Sequence, residues 1–182
     1  MRSNPGLLVL AMATTFPGCA SVPRGLAPLA VVDSVDPARY SGRWYEIARF
    51  QHGFESGVVG ATAEYTLNPN GTIGVVNSGF KKTLDGKYTE VKAVARIPDA
   101  SKSARLKVKF FHLFEADYLI FGLDDADYSW ALVGSDSRDY LWFLARTPEI
   151  GDALFQRMKG IAEAQGYGLD GLYLVPQKAR TN

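Results

Sequence analysis

Between residues 42 and 146 the chain reads as eight short strand-like runs joined almost entirely by tight turns, a pattern few folds accept. The runs fall at about 43–50, 58–67, 72–80, 88–97, 104–111, 117–123, 128–134 and 139–146. The period is cleanest in the fifth, where Leu106, Val108 and Phe110 alternate with Arg105, Lys107 and Lys109. Asn68-Pro69-Asn70-Gly71 and Leu84-Asp85-Gly86-Lys87 are hairpin turns, because Asn-Gly and Asp-Gly tolerate positive φ. Sequential strands joined this way form an up-and-down antiparallel meander. Eight strands close into a barrel wide enough for one small ligand, and closure removes the unpaired edges that an open sheet would expose. The expected fold is therefore all-β: an eight-stranded antiparallel up-and-down β-barrel.

The flanking segments fit that centre. Asp36-Pro37 starts a single helical turn before the first strand, with Asp36 as N-cap and Pro37 at the first helical position. After the last barrel strand, Thr147 and Pro148 open a helix whose apolar stripe is Ile150, Leu154, Met158 and Ile161, and Gly166 stops it. A helix with one apolar stripe after a closed sheet must lay that stripe on the outside of the barrel. Leu172 to Val175 reads as a short ninth strand.

Composition excludes several classes. The formal charge of +1 provides no field for nucleic acid. No uninterrupted run of 18 apolar residues is present. The single cysteine, Cys19, cannot form an internal disulfide. Residues 1–18 have the layout of a signal peptide: Arg2, then an apolar run from Gly6 to Phe16, then Pro17-Gly18 before Cys19. This resembles a bacterial lipoprotein signal, in which the cysteine is acylated and becomes the new N-terminus. It implies an outer-membrane location, since Ala20 is not the aspartate of inner-membrane retention. Residues 19–30, with Pro23, Gly25 and Pro28, read as a tether. Residues 31–177 then form the barrel domain and 178–182 a tail.

Two aromatic runs face each other in the sequence, Gly42–Phe50 (GRWYEIARF) and 139–148 (DYLWFLARTP). Gly42-Arg43-Trp44 resembles the GxW signature of lipocalins. Asp139-Tyr140 resembles the family's second signature and Arg146 its third, the arginine that packs on the first-strand tryptophan. The similarity is greatest to the bacterial outer-membrane lipoprotein branch, which also resembles apolipoprotein D and the plant temperature-induced lipocalins. It implies that Gly42, Trp44 and Arg146 are structural and that Trp44 and Arg146 plug the closed end.

Strand parity then nominates a cavity wall. Trp142 and Leu144 share parity with Arg146, and Ala48 and Phe50 share it with Trp44; Trp130 and Tyr118 are added from the neighbouring strands. The expected ligand is a lysophospholipid or fatty acid, carried for envelope maintenance or stress by a protein held on the membrane through Cys19. The alternative is a ligand-free structural or interaction barrel, and a homodimer is left open.

No cofactor is expected. His52 and His112, the only histidines, lack companions at metal-ligand spacing. Ser56, His52 and a nearby acid make a triad only on paper, without a nucleophile elbow. Asp124, Asp125 and Asp127 lack the glycine and distal glutamate of a calcium loop. An enzyme is not expected.

Overall fold

The computed structural model describes residues 26–110 and 114–178, so Cys19, the leader and His112 lie outside the described residues. Among the described residues nine strands form one sheet: β1 (Gly42–Phe50), β2 (Val58–Leu67), β3 (Ile73–Lys81), β4 (Tyr88–Arg96), β5 (Arg105–Phe110), β6 (Phe114–Leu123), β7 (Trp130–Gly134), β8 (Leu141–Ala145) and β9 (Leu172–Leu174). Each of β1 to β8 pairs antiparallel with its sequence neighbour, and β8 pairs back on β1, which closes an eight-stranded barrel. Helix α1 (Pro37–Tyr40) precedes the barrel, and helix α2 (Asp152–Ala164) follows it.

Local chemistry sets these boundaries. The Asp36 carboxylate accepts from the Ala38 amide at 2.8 Å and caps α1, with Pro37 in the first turn. At the other end of the chain, α2 stops in a glycine-dependent motif: Gly166, at φ +88°, donates to the Glu163 carbonyl and Tyr167 to that of Ala162. The start of α2 differs from the sequence expectation. Its N-cap is Gly151, not Thr147, because the Thr147 hydroxyl donates to the Glu149 carbonyl at 2.7 Å and so folds the segment into a turn.

The barrel has two ends of different character. At the closed end, α1 and Val35 join Tyr40, Trp44 and Tyr128 in the interior cluster. The open end carries the β1–β2 loop, with its 3-10 turn Gly53–Glu55, together with the β3–β4 and β7–β8 turns. Residues 26–35 run along the outside from the β7–β8 turn towards the closed end. Leu29 donates to Asp136 Oδ1 at 2.7 Å, Val32 to the Ile120 carbonyl at 3.0 Å and Val35 to Ser103 Oγ at 2.8 Å.

Two separate apolar clusters follow from strand parity. The interior cluster includes Ala63, Tyr65, Ile73, Val75, Ala93, Ala95, Leu106, Val108, Ile120, Ala131, Val133 and Leu144. The outer cluster packs α2 on the wall through Met158 and Ala162 against Leu119, Phe121, Leu132, Leu141 and Phe143. Burying Met158 alone contributes about 2 kcal/mol. Strands β7 and β8 are therefore covered on both faces.

Strand β9 finishes the wall at a gap. The first half of β1 pairs with β2, but from Ala48 onwards that edge of β1 pairs with β9. Both barrel strands are irregular there: the register slips between Glu46 and Ala48 in β1, and between Val59 and Thr62 in β2. The chain after β9 spans the opening. Val175 donates to Ile47, the Pro176 carbonyl accepts from Gly60, and Gln177 Nε2 donates to the carbonyls of Glu46 and Ala61.

Candidate functional site

The closed end is built by Gly42, Trp44 and Arg146. The Arg146 guanidinium lies 3.9 Å above the Trp44 ring. Its Nη1 donates to the Arg43 carbonyl, its Nη2 to those of Arg39, Tyr40 and Ser41, and its Nε to that of Tyr128, so one side chain ties α1, β1 and the β6–β7 turn together. Gly42 allows the approach: its φ is +94°, and a Cβ there would stand 3.4 Å from Arg146 Nη1. Trp44 Nε1 donates to the Tyr40 carbonyl at 2.8 Å, which satisfies a fully buried indole.

The bulge in β1 corrects part of the cavity wall expected from parity. Leaving Ile47 unpaired shifts every later side chain to the opposite face. Glu46 stands opposite Leu144 and Arg49 opposite Trp142, so both charged residues point inward. Ala48, opposite Phe143, and Phe50 therefore belong to the outer cluster under α2. Trp130 is also outside: it belongs to the α2 cluster, under the guanidinium of Arg157 at 5.3 Å. Trp142, Leu144 and Tyr118 face the interior.

The interior wall is apolar, with two polar stations. Towards the closed end, the Tyr118 hydroxyl is 2.8 Å from those of both Tyr40 and Tyr65, and Tyr40 packs edge-on to Tyr65 at 5.4 Å. Burial raises the pKa of all three phenols above the ordinary value, so they remain neutral hydroxyls. Phe110, Tyr118 and Trp142 pack against the interior cluster and are only partly buried. Small residues are interspersed with them, with Ala63, Ala93, Ala95 and Ala131 all buried in the interior cluster.

The second station sits below the mouth. Arg49 is 1% exposed; its Nη1 donates to Glu46 Oε2 at 2.8 Å and its Nη2 to the carbonyls of Glu55 and Val58. Glu55 Oε2 is 3.2 Å from Arg49 Nε but out of line with its N–H, and it accepts from Trp142 Nε1 at 3.3 Å. Burial raises both carboxyls, with Arg49 opposing. In Glu55 the neighbouring Glu46 adds to the effect and the pKa reaches about 8. Two acids thus share one guanidinium, and Glu55 retains its proton at neutral pH. Above them His52 packs on Tyr140 at 4.3 Å and stacks on Phe54 at 5.6 Å, forming an aromatic rim.

The sequence reading did not single out Glu46, Arg49, Glu55, Tyr40 or Tyr65. Glu46 shares parity with Trp44, a signal that would have placed one carboxylate inside. Arg49 needed the bulge to be known. Ser56 is exposed, and His52 meets aromatic rings rather than a nucleophile. Among the described residues no group of His, Cys, Asp or Glu gathers to hold a metal, and no helix is long and apolar enough to cross a membrane.

Comparison with known proteins places this arrangement. A family model described as a lipocalin-like domain matches residues 35–177. Outer membrane lipoprotein Blc of Escherichia coli K12 is 38% identical over 179 residues, spanning 97% of this chain and 98% of the relative. Temperature-induced lipocalin-1 of Arabidopsis thaliana is 37% identical over 82% of this chain and 83% of its own, and mouse apolipoprotein D is 32% identical over 81% and 79%. Insecticyanin of the tobacco hornworm superposes with a TM-score of 0.67 at 15% identity, covering 84% of this chain and 86% of that one, a likeness of fold. The lipoprotein relatives, matched almost end to end, locate the chain at the bacterial outer membrane. The chain belongs to the lipocalin family of small-hydrophobic-ligand binders.

Proposed function

We propose that this lipocalin holds the acyl tail of a lysophospholipid or fatty acid in its barrel, with the head group at the mouth, and serves envelope maintenance under stress. The observation carrying this reading is the partly buried aromatic inner wall of Phe110, Tyr118 and Trp142 above a floor sealed by Trp44 and Arg146. An apolar tail there leaves water, which supplies the driving force. Leu144 and the small side chains of Ala93 and Ala95 give it a smooth wall, while His52, Glu55 and the Trp142 indole supply polar contacts for a head group. Residues 1–18 serve as the signal peptide, and Cys19 carries the acyl chains that hold the protein on the membrane. Two or more such chains give stable anchoring where a single chain is marginal.

The three tryptophans provide the test. Trp142 lies at the mouth, Trp44 at the floor and Trp130 outside under α2. Titrating the full chain in mild detergent-free conditions with lysophosphatidylethanolamine and with oleate should perturb Trp142 emission saturably at micromolar ligand and leave Trp130 unchanged. A folded chain in which neither amphiphile moves Trp142, or in which Trp130 responds equally, would favour a ligand-free barrel.

A further inference from the structure

The outer path of residues 26–35 fixes where the tether leaves the barrel. Read backwards from α1, the arm contacts Ser103, then Ile120, then Asp136, and Arg138 Nη2 finally donates to the Ala27 carbonyl at 3.0 Å. Asp136 and Arg138 belong to the β7–β8 turn, which carries Tyr140 onto the aromatic rim. The described chain therefore starts at Leu26 beside the open end.

From this we infer that the open mouth, through Phe54 and Tyr140, docks on the lipid surface to which the N-terminus is tethered. The inference rests on the reading that Cys19 is the anchor. Six residues lie between Cys19 and Leu26, and the seven steps from one to the other reach about 25 Å when fully extended. A strand of nine residues tilted in a barrel covers a similar height, so a tether long enough to present the closed end would be used up in running back along the wall.

The surfaces of the two ends agree with this orientation. At the open end Phe54 is 65% exposed, and Tyr140, also exposed, stands across His52 from it. The β3–β4 tip beside them exposes Lys81, Lys82 and Lys87 against one carboxylate, Asp85. At the closed end the β6–β7 turn exposes Asp125 and Asp127. An aromatic rim with lysines on its flank suits an interface carrying anionic lipid better than a turn that exposes two aspartates beside Arg39. Docked this way, an amphiphile leaving the bilayer enters the lumen without crossing bulk water.

The test uses the full lipidated chain in vesicles of phosphatidylethanolamine and phosphatidylglycerol. An environment-sensitive dye is attached to a cysteine introduced at Phe54 or at Leu67, the latter exposed at the closed end. The expected result is a blue-shifted dye at position 54, quenched by bromine-labelled acyl chains, and an aqueous, unquenched dye at position 67. The variant Tyr140→Ser with Lys82→Glu should at least halve the quenching at position 54 while the chain still floats with the vesicles. Flotation with both positions aqueous, or with position 67 quenched, overturns the docking but not the anchor. Failure to float overturns both.

Discussion

The Arg146 guanidinium covers the Trp44 ring at 3.9 Å while donating to five main-chain carbonyls. Stacking and hydrogen bonding are thus carried by one planar group, which an ammonium cannot reproduce. Replacing Arg146 with Ala should lower stability by about 2–3 kcal/mol in urea unfolding, since both the stacking and several hydrogen bonds are lost. Arg146→Lys should recover less than half of that, because a lysine cannot fork across the same carbonyls.

Stability should fall as pH rises towards 8, through Glu55. Its carboxyl is raised from 4.5 to about 8, so across that interval the folded protein holds a proton that the unfolded chain has released. Raising the pH therefore favours the unfolded chain; the contribution is complete below the ordinary value and is gone above the raised one. His52 acts in the opposite sense, because burial lowers its pKa. The difference between wild type and Glu55→Gln isolates Glu55: wild type should lose stability relative to the variant between about pH 5 and 8. Trp142 emission should titrate around pH 8, where the folded carboxyl ionises, and stop doing so in the variant, since its indole donates to Glu55.

The corrected faces separate ligand affinity from stability. Trp130→Phe should cost about 1 kcal/mol through lost contact with Arg157 and α2, and leave amphiphile affinity within about twofold. Trp142→Ala should weaken affinity about tenfold, or about 1.4 kcal/mol. Titration of the two variants with the same lysophospholipid compares them directly.

Gly134 and Tyr167 should be energetically coupled. A Cβ on Gly134 would overlap the Tyr167 hydroxyl, which accepts from the Ser135 amide at 3.2 Å. Gly134→Ala should cost about 2 kcal/mol by overpacking, and Tyr167→Phe about 1 kcal/mol through lost hydrogen bonds. The double variant should be less destabilised than the sum of the two, because removing the hydroxyl makes room for the methyl group. Thermal unfolding of the four proteins measures this cycle.

The sequence made the strand count and the turns legible because alternation survives wherever one face meets water, as in Arg105–Phe110. It failed where that contrast disappears. In β7 all five residues are buried, so nothing in the pattern tells which side Trp130 faces. In β1 a single unpaired residue inverted Ala48 and Phe50, and a bulge at Ile47 carries no compositional mark. The polar pair inside was hidden for the same reason: Arg49 reads as an outward residue until the inversion is known. The start of α2 was misplaced because Thr147-Pro148 has the wording of a helix start, while its hydroxyl bonds forward instead of capping.

The gap between β1 and β2 also sets an order of events. The wall is complete only when residues 172–177 reach Ile47, Gly60 and Ala61, more than a hundred residues back along the chain. A chain exported N-terminus first presents β1 long before β8 and β9 emerge to flank it. Until residues 172–177 arrive the barrel stays unsealed, and they act as the latch that commits it to its final shape.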